Sequence, residues 1–150
     1  HDDDRALAPR DLVAERARSF GRNSDPIVRQ AIAELVSFQR ANEWTAERAR
    51  AARALGRAPG PEGSLGKLAA SGVARRSARV HSLVSGAAAM LTDGPHAHDA
   101  VIAEVLLSTP AQSIAGGTDE IQHNIIGENI LGLPREPTPD RDLAFQEIRR

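Results

Sequence analysis

Asp25-Pro26-Ile27-Val28-Arg29-Gln30-Ala31-Ile32-Ala33-Glu34-Leu35-Val36-Ser37-Phe38 places its large apolar residues Val28, Ile32, Leu35 and Phe38 at spacings of four, three and three. That recurrence lines one face of an α-helix, since residues three and four apart stack above one another. Asp25 is an N-cap residue by type, and Pro26 suits the first helical position, where its missing N–H is one of the unbonded four. The same helix can run on through Trp44 and Ala51 to Leu55, with Glu43, Glu47, Arg48, Arg50 and Arg53 on its wet side.

The rest of the chain agrees with this helix. Its 150 residues include 26 Ala and 18 Arg against one Lys, and the aromatics are only Phe20, Phe38, Phe145 and Trp44. Ala and Arg favour helices, whereas the β-branched and aromatic residues that favour strands are sparse. Large side chains being few, the helices must approach closely over Ala and Gly, with Leu, Ile and Val as filler.

On this reading Pro9 to Phe20 forms a first helix and Gly21 to Ser24 ends it. Gly56 to Gly63 is a Pro- and Gly-rich loop joining antiparallel neighbours. Ser64 caps a third helix with Ala69, Val73, Val80, Val84, Ala87 and Leu91 as its stripe, while Lys67, Arg75, Arg76 and Arg79 mostly decorate the other side. Thr92 to Pro95 breaks the chain, and His98 to Leu107 forms a fourth helix halted near Pro110. A fifth begins at Asp119, holds Ile121, Ile125, Ile126 and Ile130, and stops at Gly132 and Pro134. No strand pattern or internal repeat is evident. The expected fold is all-α, an up-and-down four-helix bundle over residues 9–133, preceded by a disordered or tag-like start at 1–8 and followed by a strap and short helix at 134–150, around Leu143, Phe145 and Ile148.

Nineteen basic and 20 acidic residues leave a formal net charge of −1. Nucleic acids and acidic membranes are held by a clear basic excess, so neither is an expected partner. Absence of Cys removes disulfides, thiolate zinc sites and cysteine nucleophiles. With no signal peptide and no apolar run of about 20 residues, the expected location is the cytoplasm.

The sharpest local signal is Ser113-Ile114-Ala115-Gly116-Gly117-Thr118-Asp119-Glu120-Ile121-Gln122. Two glycines permit close backbone approach to a flat or charged group, Thr118 is an N-cap, and the N–H groups of the following turn suit an acceptor. By local chemistry alone a Gly-Gly-Thr before a helix also serves simply as a turn and cap.

Read through to Pro137, the segment Gly116-Gly117-Thr118-Asp119-Glu120-Ile121-Gln122-His123-Asn124-Ile125-Ile126-Gly127-Glu128-Asn129-Ile130-Leu131-Gly132-Leu133-Pro134-Arg135-Glu136-Pro137 closely resembles the C-terminal signature of the acyl-CoA dehydrogenase family, particularly its bacterial branches. The resemblance extends back through Lys67 and Ser64 to Asp25-Pro26-Ile27-Val28-Arg29-Gln30 and covers most of residues 10 to 137. It implies the C-terminal helical domain of an enzyme that oxidises acyl-CoA thioesters to trans-2-enoyl-CoA. There a carboxylate removes the α-proton and the β-hydrogen leaves as hydride to FAD. The cofactor lies between subunits, so the resemblance also implies same-family subunits as partners, in a homo- or hetero-oligomer.

By position, the resemblance places Gly116, Gly117, Thr118 and Glu120 where the family's loop approaches FAD, and Gln30 where a glutamine often contacts it. Members frequently carry an arginine before a Phe-Gly pair to bind the FAD pyrophosphate; Phe20-Gly21 is present, and the nearest arginine, Arg18, is offset by one residue. In many members the residue before Gly-Thr is the catalytic glutamate. Here it is Gly116, which has no side chain to take a proton, and no catalytic residue is assigned. Glu15 sits among Glu, Arg and Ala in the pattern of an exposed helix face.

His96, His98 and Asp99 read as a polar loop entering a helix rather than a metal site. Arg48, Arg50, Arg53 and Arg57 read as a solvated face. His123 stands where relatives often have Arg. Two readings follow. The first is an FAD-contacting and oligomerising domain, inactive alone. The second is a non-catalytic helical scaffold that has lost flavin binding.

Overall fold

A computed structural model describes residues 9–58, 60–91, 99–135, 137 and 144, and within them every regular element is helical. The elements are α1 (Pro9–Ser19), α2 (Pro26–Ala54), α3 (Glu62–Ser85), a short 3-10 helix (Gly86–Met90), α4 (Asp99–Gln112) and α5 (Asp119–Asn129). The all-α class is as the sequence predicts. Expectations for residues 1–8, for His96 and His98, and for the segment around Leu143, Phe145 and Ile148 lie outside the described residues. No helix among the described residues is long and apolar enough to cross a membrane.

The α2 start forms as its sequence dictates. Asp25 Oδ1 accepts from Ile27 N at 2.9 Å and Val28 N at 3.4 Å, while its other oxygen takes Arg22 Nη2 at 2.7 Å. Several boundaries differ from the sequence reading, α5 ending at Asn129 with Ile130 as its cap. α3 begins at Glu62 instead of after Ser64, because the Glu62 carboxylate reaches back to Gly60 N at 2.6 Å and places an acid in the first turn. It ends at Ser85 because Gly86 turns left-handed at φ +56°, so Ala87 and Leu91 fall outside its stripe. α4 runs two residues past Pro110, which forfeits its own bond to the carbonyl four residues back without ending the helix at once.

α3 is the element on which the others lean. α1, α2, α4, α5 and the 3-10 helix all pack against it, and among the described residues α2 touches neither α4 nor α5. The buried core joins Val13 and Ala17 of α1, Val28, Ala31 and Leu35 of α2, and Val80 and Val84 of α3, with Phe20, Ile32, Val73 and Leu83 against its edge. Farther along, α2 and α3 close up at Gly72, whose absent side chain makes room for the Phe38 ring. The Arg76 guanidinium lies 4.0 Å from that ring's centre and bonds Glu34 at 3.1 Å.

α5 turns a polar side inward. Its buried residues are the polar Asp119 and Gln122, and Ile121 and Ile130 are nearly half exposed, with Ile125 also on the surface. Leu131 and Leu133 beyond it are more exposed still.

Candidate functional site

The connection between α4 and α5, residues 113–118, is built around two consecutive left-handed glycines, Gly116 at φ +66° and Gly117 at φ +93°. Residues with a side chain rarely adopt either value, so the sequence Gly-Gly is required for the backbone to pass here. Thr118 then caps α5, its Oγ1 accepting from Ile121 N at 3.2 Å, as its residue type predicts. Asp119 N donates to Ser113 O at 3.0 Å and closes the loop on itself.

The two glycines are not equivalent. A methyl group on Gly117 would lie 2.9 Å from Gln122 Nε2, whose side chain is buried beneath the turn and aims at Gly116 O. A methyl group on Gly116 would meet nothing within 4 Å. Gly117 is therefore set by its left-handed backbone, with the Gln122 amide closing the space above it, and Gly116 opens outward.

Both ends of the connection are tied to one face of α3. Lys67, Ser71 and Arg75 follow one another at intervals of four, a single helical stripe. Lys67 Nζ donates to Ser71 Oγ at 3.0 Å, to Gln112 O at 2.8 Å and to Asp119 Oδ1 at 2.9 Å. Ser71 Oγ also donates to Gln112 O, at 2.9 Å, and Arg75 Nη1 donates to Asp119 Oδ2, at 2.8 Å, and to Ser113 Oγ. Arg75, Lys67 and Ser71 together hold the buried Asp119 carboxyl far below the usual carboxylate range. Lys67 and Arg75 thus do not decorate an outer face. The sequence offered a signal for this in the lone lysine among 18 arginines and in the 67, 71, 75 spacing.

Glu120 is exposed beside the turn, and its own N–H and the Thr118 hydroxyl hold its carboxyl below the ordinary value. A negative side chain there disfavours a phosphate at the α5 N-terminus and suits a hydroxyl, amino or ring edge of a ligand. The open space over Gly116 admits a flat group close to the backbone. Gly116, Gly117, Thr118 and Glu120 thus lie side by side on the surface of the turn and the start of α5.

Arg18 and Gln30 are not part of that surface. Both are exposed, Arg18 in the last turn of α1 and Gln30 near the start of α2, beside the core that packs on Val80 and Val84 of α3. Nine residues of α3 separate Val80 from Ser71, about 14 Å of helix axis. Among the described residues no three metal-binding side chains cluster.

Residues 11–131 match the family described as acyl-CoA dehydrogenase, C-terminal domain. The chain is also similar to the acyl-CoA dehydrogenase IpdE1 of Mycobacterium tuberculosis (strain ATCC 25618 / H37Rv), 31% identical over 131 residues, which are 83% of this chain and 31% of that protein. The chain spans about a third of the length of that relative. No solved structure matches it.

Proposed function

Because this chain belongs to the acyl-CoA dehydrogenase family, as its C-terminal domain, we propose that it is the FAD-contacting and subunit-associating helical domain of an enzyme that dehydrogenates acyl-CoA thioesters. The family is flavin-dependent in general, and bound FAD supplies the acceptor for the hydride leaving the β-carbon. The chain's own residues have a narrower task. Gly116 and Gly117 let backbone lie against the cofactor, Thr118 fixes the direction in which α5 leaves the turn, and Glu120 hydrogen-bonds an uncharged edge. Arg18 and Gln30, remote from the turn, serve a different stretch of cofactor or the cofactor of a neighbouring subunit.

The observation that carries this reading is the outward opening at Gly116, a left-handed glycine with nothing within 4 Å of the place a side chain would take. Gly116 also has no carboxylate, so the chain does not supply a base at that position and is expected to show no dehydrogenase turnover alone. That same lack favours the second reading, a helical scaffold that no longer holds flavin.

Gly116→Ala and Gly56→Ala separate the two. Gly56 lies in the α2–α3 loop at φ +73° with nothing within 4 Å, so the two substitutions impose similar backbone strain. In the complete flavoprotein, Gly116→Ala is expected to weaken FAD binding tenfold or more, and Gly56→Ala to leave it unchanged at a similar loss of thermal stability. Equal FAD affinity in both variants supports the scaffold.

A further inference from the structure

Lys67 uses all three of its N–H bonds, toward a serine on its own helix, the carbonyl of Gln112 at the end of α4, and the carboxylate of Asp119 at the start of α5. Gln112 and Asp119 are the residues that flank the 113–118 connection. One ammonium group therefore sets the distance between the two ends of the turn that carries Gly116 and Gly117.

A guanidinium cannot take its place. Its donors lie in a plane and point as a fork, whereas Ser71, Gln112 O and Asp119 are met by an ammonium whose three donors diverge from a single atom. In a chain that otherwise uses arginine for every cation, this is the one position occupied by lysine. Arg75 binds the other Asp119 oxygen from its half-exposed site, so the carboxylate is gripped on both sides.

We propose that Lys67, through Asp119 and the Gln112 carbonyl, is a positioning residue that holds the Gly116–Thr118 turn in its cofactor-receiving conformation. This rests on the flavin reading given above. The network is fully satisfied, and a satisfied buried ion pair specifies geometry more than it adds stability. Replacing both partners by apolar residues of similar volume is accordingly expected to spare the fold and release the turn.

The test uses the complete flavoprotein with three variants: Lys67→Met/Asp119→Leu, Lys67→Arg and Gly116→Ala. FAD affinity is read by flavin fluorescence, amide hydrogen exchange is read in residues 113–118 and in α2, and folding is read by thermal melting. The double variant is expected to melt within a few degrees of the parent, to exchange the 113–118 amides at least tenfold faster with α2 unchanged, and to bind FAD tenfold or more weakly. Lys67→Arg, although it keeps the charge, is expected to show the same faster exchange and weaker binding. Parental exchange in 113–118 in either Lys67 variant overturns the proposal, as does full FAD affinity in a folded double variant. Weak FAD binding in Gly116→Ala beside full binding in the Lys67 variants overturns the positioning role alone, whereas full binding in Gly116→Ala overturns the flavin reading and this role with it.

Discussion

A methyl group placed on Gly72 of α3 would stand 2.8 Å from the edge of the Phe38 ring of α2. The two helices touch through this missing side chain, and the Arg76 guanidinium lies against the same ring. Gly66, six residues earlier on α3, has nothing within 4 Å of the same position. Alanine at either site removes backbone freedom from the unfolded chain and raises helix propensity. Gly66→Ala is expected to stabilise the protein by about 0.5–1 kcal/mol. At Gly72 overpacking costs roughly 1–3 kcal/mol and exceeds that gain, so Gly72→Ala is expected to lose about 1 kcal/mol net. Urea unfolding of the pair checks both signs.

Asp119 supplies a pH signature. Its folded carboxyl is held far below the value of 3.8 it has when free, so the unfolded chain takes up that proton first as the solution is acidified. The stability it contributes is complete above about pH 4 and is lost only as pH falls further. The difference in unfolding free energy between the parent and Asp119→Asn is therefore expected to stay level from pH 7 to 5 and to shrink below 4. A difference that widens in acid would contradict the assignment.

His81 works in the opposite region of the scale. Its Nδ1 is buried without a hydrogen-bond partner among the described residues, and burial, with Arg16 adding repulsion, pushes its imidazole below the free value of 6.5. On acidification the unfolded chain is protonated here before the folded one, so stability falls as pH drops through 6.5. The urea midpoint is expected to decline between pH 7.5 and 5.5 in the parent and to decline less in His81→Leu.

Exposed Ile121, Ile125, Ile130, Leu131 and Leu133 leave apolar surface that a small helical fold does not cover by itself. The protein is expected to self-associate at micromolar concentration, and Leu131→Glu to shift sedimentation toward the monomer. A single monomeric species in the parent would refute this expectation.

Helix positions were legible in the sequence wherever the cue was local. Pro26 after Asp25 and Thr118 before Asp119 announced helix starts that the structure confirms with hydrogen bonds. The interior contacts were less legible. Ile121 and Ile125, four apart, share a face, yet Asp119 and Gln122 face inward, because α3 offers α5 Lys67, Ser71 and Arg75 instead of an apolar surface. Periodicity records which residues share a face but not what lies opposite it. The Lys67–Asp119 pair, 52 residues apart, is of that second kind. For the turn itself, Gly116 and Gly117 were equal as letters, and only the Gln122 side chain beneath one of them tells them apart.

That α2 meets neither α4 nor α5 among the described residues has a consequence for how substitutions combine. Free energies of substitutions more than about 7–10 Å apart with no shared neighbour add within about 0.5 kcal/mol, whereas those in contact do not. Changes on the outer side of α2 and changes on the outer side of α5 accordingly carry independent costs, since α2 packs on α1 and α3, and α5 on α3. Either face can drift, or acquire a new neighbour, while the other retains its own tolerance, and only substitutions on α3 are felt on both.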